Sequence, residues 1–212
     1  MRSDDRPQPN LVVKHIVDNF NMFGFGSEES ALLQCVKELV ENSMDASRVR
    51  DGQMMMGTGR VRVRIALSSI ADPLQQQRQQ LLTIEVEDEG SGMRDPQDML
   101  RCFTTDKTTS GGGGGGGRVA MTGRFGVGLS TCFLYSLERT RVPMRVMTKH
   151  LEAQLAVIVD FDLDDQMNPT VVQSGCMAVG VPSGTSIRIH LPVIDYPLTT
   201  TTTTQQALNR GS

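Results

Sequence analysis

EESALLQCVKELVENSMDASRVR, residues 28–50, is the stretch whose reading decides the fold. Leu32, Cys35, Val36, Leu39 and Val40 return at helical spacing, so one side of the segment is apolar and can enter a core. Ser27 stands just ahead as an N-cap, and Glu28 and Glu29 fall in the first turn, where the helix dipole favours acids. A second stripe is polar. Glu38, Asn42 and Asp45 stand at i, i+4 and i+7 and therefore lie on one line along a helix. A carboxylate, an amide and a second carboxylate in a row can hold a divalent cation and order a water. A solvated helix face uses the same residue types, so the choice passes to the motifs that follow.

Composition sets the outer limits. The chain has 212 residues and 38% hydrophobic content, enough for one domain with a real core. Lys and Arg number 21 against 24 Asp and Glu, a net charge of −3, so no global basic field draws in nucleic acid. DNA, if it is bound, is expected to be contacted mainly through a partner. Cys35, Cys102, Cys132 and Cys176 show neither C-x-x-C pairing nor a nearby histidine set, which argues against zinc and a disulfide framework and for a reducing compartment. The opening MRSDDRPQPN has no apolar signal region, and no stretch reaches the length of a membrane span. A soluble intracellular protein with no membrane contact is the expectation.

Residues 1–10 are polar and proline-bearing and read as a disordered tail or a strap onto a partner. LVVKHIVDNFNMFGFGS (11–27) is apolar, and its glycines turn the chain into the helix. Beyond the helix, RVRVRIAL (60–67) alternates strictly, which predicts a strand with Val61, Val63, Ile65 and Leu67 on one face and arginines on the other. The glutamine-rich 68–80 reads as a long hairpin loop, and LLTIEVED (81–88) as the returning strand. A short helix over about 96–103 leads to TTDKTTS and seven glycines at 111–117, a linker-like run inside a mobile loop. Three further strands are expected at 143–149, 154–162 and 185–191. His15, His150 and His190 have no carboxylate or cysteine at catalytic spacing and read as structural or exposed. Residues 195–212 are low in complexity and read as a tail, which leaves 11–194 as the domain.

Three motifs carry chemistry. Asp88-Glu89-Gly90-Ser91-Gly92-Met93 follows a strand directly. Asp88 suits a buried carboxylate that accepts from an amino group, Gly90 and Gly92 let the backbone pass close to a flat ligand, and the Met93 thioether suits an aromatic ring. An ordinary glycine turn would use the same letters. Gly123-Arg124-Phe125-Gly126-Val127-Gly128-Leu129 opens the apolar segment STCFLYSLER, and a glycine-rich loop before a helix offers backbone N–H groups to an anion. Lys107, with Thr104 and Thr105, adds charge and hydroxyls for the same phosphates, although Lys107 reads equally well as a solvated loop lysine. Gly184-Thr185 opens the last strand.

In their order and separations, these signals together with KELVENSMDAS resemble the Bergerat-type (GHKL) ATP-binding domain of DNA gyrase, Hsp90, histidine kinases and MutL, over nearly all of 11–194. KELVENSMDAS, GRFGVGLSTCFLYS and the upstream MFGFGS look most like the B subunit of topoisomerase VI, a type IIB DNA topoisomerase, and its eukaryotic meiotic relatives. The resemblance implies an α+β fold: a two-layer α/β sandwich whose mixed, mostly antiparallel sheet is covered on one face by helices. It implies ATP and Mg2+ as cofactors, with Glu38 as general base, Asn42 as the magnesium ligand and Asp45 supporting them. Asp88 would take the adenine amino group, with Gly90, Gly92, Met93 and Thr185 around the base. Lys107 and residues Gly123, Arg124, Phe125, Gly126, Val127, Gly128 and Leu129 would line the phosphates as part of a lid.

The resemblance also implies a nucleotide-dependent homodimer that gates double-strand cleavage by a Spo11-type partner, which is the A subunit in topoisomerase VI. A lysine from a following transducer domain and a helix-two-turn-helix insert belong to the family pattern but not to these 212 residues. This stretch is therefore expected to bind ATP and to hydrolyse it slowly or not at all. Homopolymer runs of Gly and Thr tilt the expectation toward a eukaryotic, nuclear, meiotic role. Two other classes compete: a scaffold in a meiotic break-forming complex that uses nucleotide little, and another GHKL member such as a MutL-type repair ATPase.

Overall fold

The 28–50 segment folds into helix α2 (Glu28–Arg48) in a computed structural model that describes residues 10–50, 53–54, 59–71, 78–97, 99, 127–177 and 180–193. Ala31, Cys35 and Leu39, four residues apart, are fully buried. Leu32, Val36 and Val40 are half-buried at the rim of the core. Ser27 caps the helix, its Oγ accepting from the Ser30 amide at 3.2 Å. The apolar segment ahead forms α1 (Leu11–Asp18), started by Asn10, whose side-chain oxygen accepts from the Val12 and Val13 amides. A 3-10 turn over Phe20–Phe23 follows. Phe20 and Phe25 close on Tyr135 with ring centroids 5.2 and 5.0 Å away, each contact contributing about 1 kcal/mol beyond its buried area. Tyr135 belongs to α3 (Gly128–Thr140), whose residues from Ser130 to Leu137 are all buried.

Strands β1 (Val49–Arg50) and β2 (Gln53–Met54) pair by themselves. The main sheet holds β3 (Val61–Ala71), β4 (Arg78–Asp88), β5 (Met144–Lys149), β6 (Ala156–Leu163), β7 (Pro169–Met177) and β8 (Gly184–Pro192) in the order β3-β4-β8-β5-β6-β7. The mostly antiparallel sheet expected from the resemblance is antiparallel at every pairing among the described residues. Alternation assigns its faces. Ile84 and Val86 of β4, Ile187 and Ile189 of β8, and Met144 and Val146 of β5 join the core with the helices. Arg62, Arg64, Glu85, Arg145 and Arg188 occupy the other face, which no described helix covers. The result is a two-layer α+β sandwich.

Three local expectations change. The hairpin loop expected over 68–80 is shorter, because β3 runs on to Ala71 and β4 resumes at Arg78. Backbone pairing rather than apolar content holds these ends, helped by Arg78 donating to the Ser69 carbonyl at 2.7 Å. β7 was not expected. Among the described residues it is an outer strand paired with β6 alone, and Val172 to Cys176 are exposed, so no face requires alternating apolar residues. Finally, the apolar side of β3 enters the core only at Val61, while Val63, Ile65 and Leu67 are 42%, 49% and 67% exposed, because the helix layer stops short of this edge. Of the helix expected over 96–103, Pro96, Gln97 and Met99 lie in a 3-10 turn, and the rest falls outside the described residues.

Candidate functional site

The period of two along β4 brings Asp88 onto the helix side of the sheet at the strand's last residue, where it is 6% exposed. Its Oδ1 accepts from the Gly90 amide at 2.9 Å and the Thr185 amide at 3.2 Å, and the Ser43 side chain of α2 also hydrogen-bonds the carboxylate. Burial raises the Asp88 pKa above the ordinary carboxyl value, and these three donors only partly oppose it. Gly184 makes the close approach possible. At φ 142° its backbone suits glycine, and a Cβ there would stand 2.0 Å from the Asp88 carbonyl oxygen. Gly92, at φ 68°, lies equally close to the Lys149 carbonyl, and the next residue, Met93, donates its amide to Thr148 Oγ at 2.8 Å.

The other end of the site is built where α2 meets α3. α3 starts after Val127, and among the described residues no side-chain hydrogen bond caps it there, at the positive end of its dipole. The Glu38 carboxylate is held there by Gln34 Nε2 at 2.7 Å and Lys37 Nζ at 3.1 Å. It lies so close to Gly128 that a Cβ on that residue would stand 1.9 Å from Glu38 Oε2. A larger residue at 128 would require the Glu38 side chain to move. Asn42 and Asp45 follow along the same line of α2, half-buried between its core face and its solvent face. Farther on, the Ala46 carbonyl borders Gly90.

One helix therefore runs from Gly128 beside Glu38, past Asp88 beside Ser43, to Gly90 beside Ala46. Of the polar stripe of α2, Glu38 is the member placed against the start of α3. Gly90, Gly92, Met93 and Thr185 cluster with Asp88, and Val127, Gly128 and Leu129 form the start of α3. Lys107, Gly123, Arg124, Phe125 and Gly126 lie outside the described residues, as do Thr104 and Thr105.

Sequence reasoning missed Ser43 and Thr148. Ser43 is 4% exposed and sits one residue past Asn42, in line with Ala31, Cys35 and Leu39, where the pattern reads simply as core. Thr148 is 2% exposed inside the strand MRVMTK, and nothing in that alternation separates a bonding hydroxyl from a packed one. Cys35 and Cys132 meet between α2 and α3, and their mutual hydrogen bond and complete burial push the Cys132 thiol well up.

A magnesium ion fits this donor set in only one manner. Among the described residues no group of three His, Cys, Asp or Glu converges as a metal cage. Mg2+ prefers oxygen ligands, retains waters and shares phosphate oxygens, so the Asn42 amide oxygen beside Glu38 is a sufficient protein contribution.

The fold is an α+β sandwich with a buried carboxylate at one strand end and a helix opened by glycine, and comparison makes its class specific. Residues 27–195 match the histidine kinase-, DNA gyrase B- and HSP90-like ATPase family, and the chain belongs to that family. It is 27% identical over 181 residues to the B subunit of type 2 DNA topoisomerase 6 from Saccharolobus shibatae, covering 84% of this chain and 31% of that protein. The corresponding protein of Saccharolobus solfataricus is 26% identical over the same shares. The chain thus spans about a third of the length of these relatives. Among solved structures, the ATPase and transducer domains of Balamuthia mandrillaris DNA topoisomerase II share 16% identity at TM-score 0.45, over 76% of this chain and 37% of that one. The Aquifex aeolicus MutL ATPase domain complexed with ADP shares 18% at TM-score 0.36, over 73% and 39%.

Proposed function

We propose that this chain is the ATP-binding module of a protein like the topoisomerase VI B subunit, in which nucleotide-driven dimerisation controls DNA cleavage by a Spo11-type partner equivalent to the A subunit. The observation that carries the nucleotide reading is the span of α2. From Glu38 against Gly128 to Ala46 against Gly90 the helix rises about 12 Å, the scale of a triphosphate extended from its base. In this reading Asp88, an acceptor-only group when ionised, takes the adenine amino group. The start of α3 receives phosphate oxygens. Glu38 Oε2 orients a water and takes its proton, Asn42 contributes one oxygen to Mg2+, and Asp45 supports both. When bound, the ion supplies charge neutralisation on the phosphates.

Similarity to two topoisomerase 6 proteins at 26–27% identity supports the topoisomerase assignment over a MutL-type one. The nuclear, meiotic setting is the finest grain of the proposal and rests on sequence character alone.

Calorimetric titration of the full chain with ATP and Mg2+ tests the reading. Wild type is expected to bind, Asn42→Ala to bind more weakly, and Asp88→Asn to lose about a hundredfold, the loss of a charge-assisted hydrogen bond. The Asp88→Asn chain should remain folded, since burial already disfavours that charge. Equal affinity in all three refutes the site, and no binding by wild type leaves the scaffold alternative.

A further inference from the structure

Thr148 stands where three segments meet. It lies on the helix side of β5, directly across from Thr185 of β8, and both are buried. Its hydroxyl oxygen accepts from the Met93 amide at 2.8 Å. It stands 3.1 Å from Thr185 Oγ and 3.2 Å from the Gly184 carbonyl oxygen. Thr185 in turn gives its amide to Asp88 Oδ1. One hydroxyl thus ties the glycine loop after β4 to the first residues of the strand bordering the carboxylate. A second strap, from the Leu151 amide to the Ser91 carbonyl at 2.9 Å, holds the same loop to the chain just beyond β5.

A hydroxyl has a single proton to donate, so two arrangements compete. When Thr148 donates to the Gly184 carbonyl, the Thr185 hydroxyl must donate to Thr148 if their bond is kept, and it then offers only lone pairs beside Asp88. When Thr148 donates to Thr185, the Thr185 proton is released to a ligand. Adenine carries an acceptor ring nitrogen next to its amino group. Guanine carries an N–H next to a carbonyl in the matching places. An ionised Asp88 accepts from the amino group, and only a donor beside it completes the complement to adenine.

We propose that Thr148 is a positioning residue that sets the base preference of this site. By donating to Thr185 it makes that hydroxyl a donor beside Asp88, and by accepting from Met93 it holds the glycine loop against the base. The inference rests on the nucleotide reading above and adds a residue that acts through its neighbours.

Thr148→Val keeps the shape and removes the hydroxyl, while Thr148→Ser keeps the hydroxyl. Titrating the full chain with ATP and with GTP, the valine variant should bind ATP about tenfold more weakly, and its preference for ATP over GTP should shrink by a similar factor. The serine variant should restore both. A threonine that merely packs would lower the melting temperature and leave the ATP-to-GTP ratio unchanged, and that result overturns the proposal. If the valine chain does not fold, exchange of the Met93 amide in wild type decides: slower exchange with ATP than with GTP supports the proposal, and equal exchange overturns it. Wild type that binds no ATP removes the nucleotide reading and this inference together. Wild-type binding with an unaltered valine variant removes this inference alone.

Discussion

Glu85 and Asp88 stand three residues apart on β4, face opposite sides of the same sheet, and differ in their charged partners. Glu85 lies between Arg64 at 2.7 Å and Arg188 at 2.8 Å. Burial works against its charge, but the two guanidiniums outweigh burial and hold its carboxyl below the usual range. Among the described residues Asp88 is bonded by two amides and a hydroxyl, and burial holds its carboxyl above that range. The open-face carboxylate is saturated by cations, as are Asp160, gripped by Nε and Nη2 of Arg145 at 2.8 and 2.7 Å, and Glu87, paired with Arg62. A saturated carboxylate has little left to offer a ligand. Among the described residues the helix-side carboxylate is buried and paired with no cation, so it keeps acceptor capacity that the saturated carboxylates lack.

The contrast is broken most severely at Gly184. Alanine there would set a Cβ 2.0 Å from the Asp88 carbonyl, in a backbone conformation that L side chains rarely adopt. The expected loss is about 3 kcal/mol or more of unfolding free energy in a denaturant titration. A chain as stable as wild type would show that the β4–β8 junction is not as tight as described.

Acid sharpens the comparison from the open face. His190 is 7% exposed, bonded to Thr83 Oγ at 3.0 Å, and its pKa is lowered to about 4 by burial and then by the charges of Arg188 and Arg145. The depressed folded value means that the unfolded chain takes up the proton first. Stability is therefore intact above about 6.5 and falls progressively as pH drops toward 4, by up to about 3 kcal/mol. Asp88 contributes in the opposite sense over the carboxyl range, since its raised pKa makes the folded form easier to keep as acid is added. His190→Gln should flatten the drop measured by thermal melting between pH 7 and 4.5, and an unchanged slope would assign the acid sensitivity elsewhere.

The smallest effect belongs to Arg64. It is 61% exposed, and Glu85 retains Arg188 when it is removed. Arg64→Ala should change stability by about 0.5 kcal/mol or less. A larger loss in denaturant would mean that the open face contributes more to the fold than its exposed ion pairs suggest.

Much of this was legible in the chain. The stripe of Glu38, Asn42 and Asp45 follows from helical period alone, and β3 and β4 from alternation, because both are local consequences of backbone geometry. The outer strand β7 escaped, since an exposed strand needs no apolar pattern. Ser43 and Thr148 escaped for another reason. Their hydroxyls matter through partners 45 and 55 residues away, Asp88 and Met93, and no local pattern encodes such a distance.

By itself, the sequence determined which residues are competent: an amphipathic helix with an acid-amide-acid stripe, a carboxylate closing a strand, and glycines before a helix. These are properties of residue type and spacing, which the chain carries before it folds. Only the tertiary structure decided that Glu38 rests on Gly128, that Ser43 bonds Asp88, and that, among the described residues, Glu85 receives two cations while Asp88 is bonded by amides and a hydroxyl. Those outcomes depend on which strands pair and on which face the helices cover, and burial and long-range pairing exist only once the layers have closed.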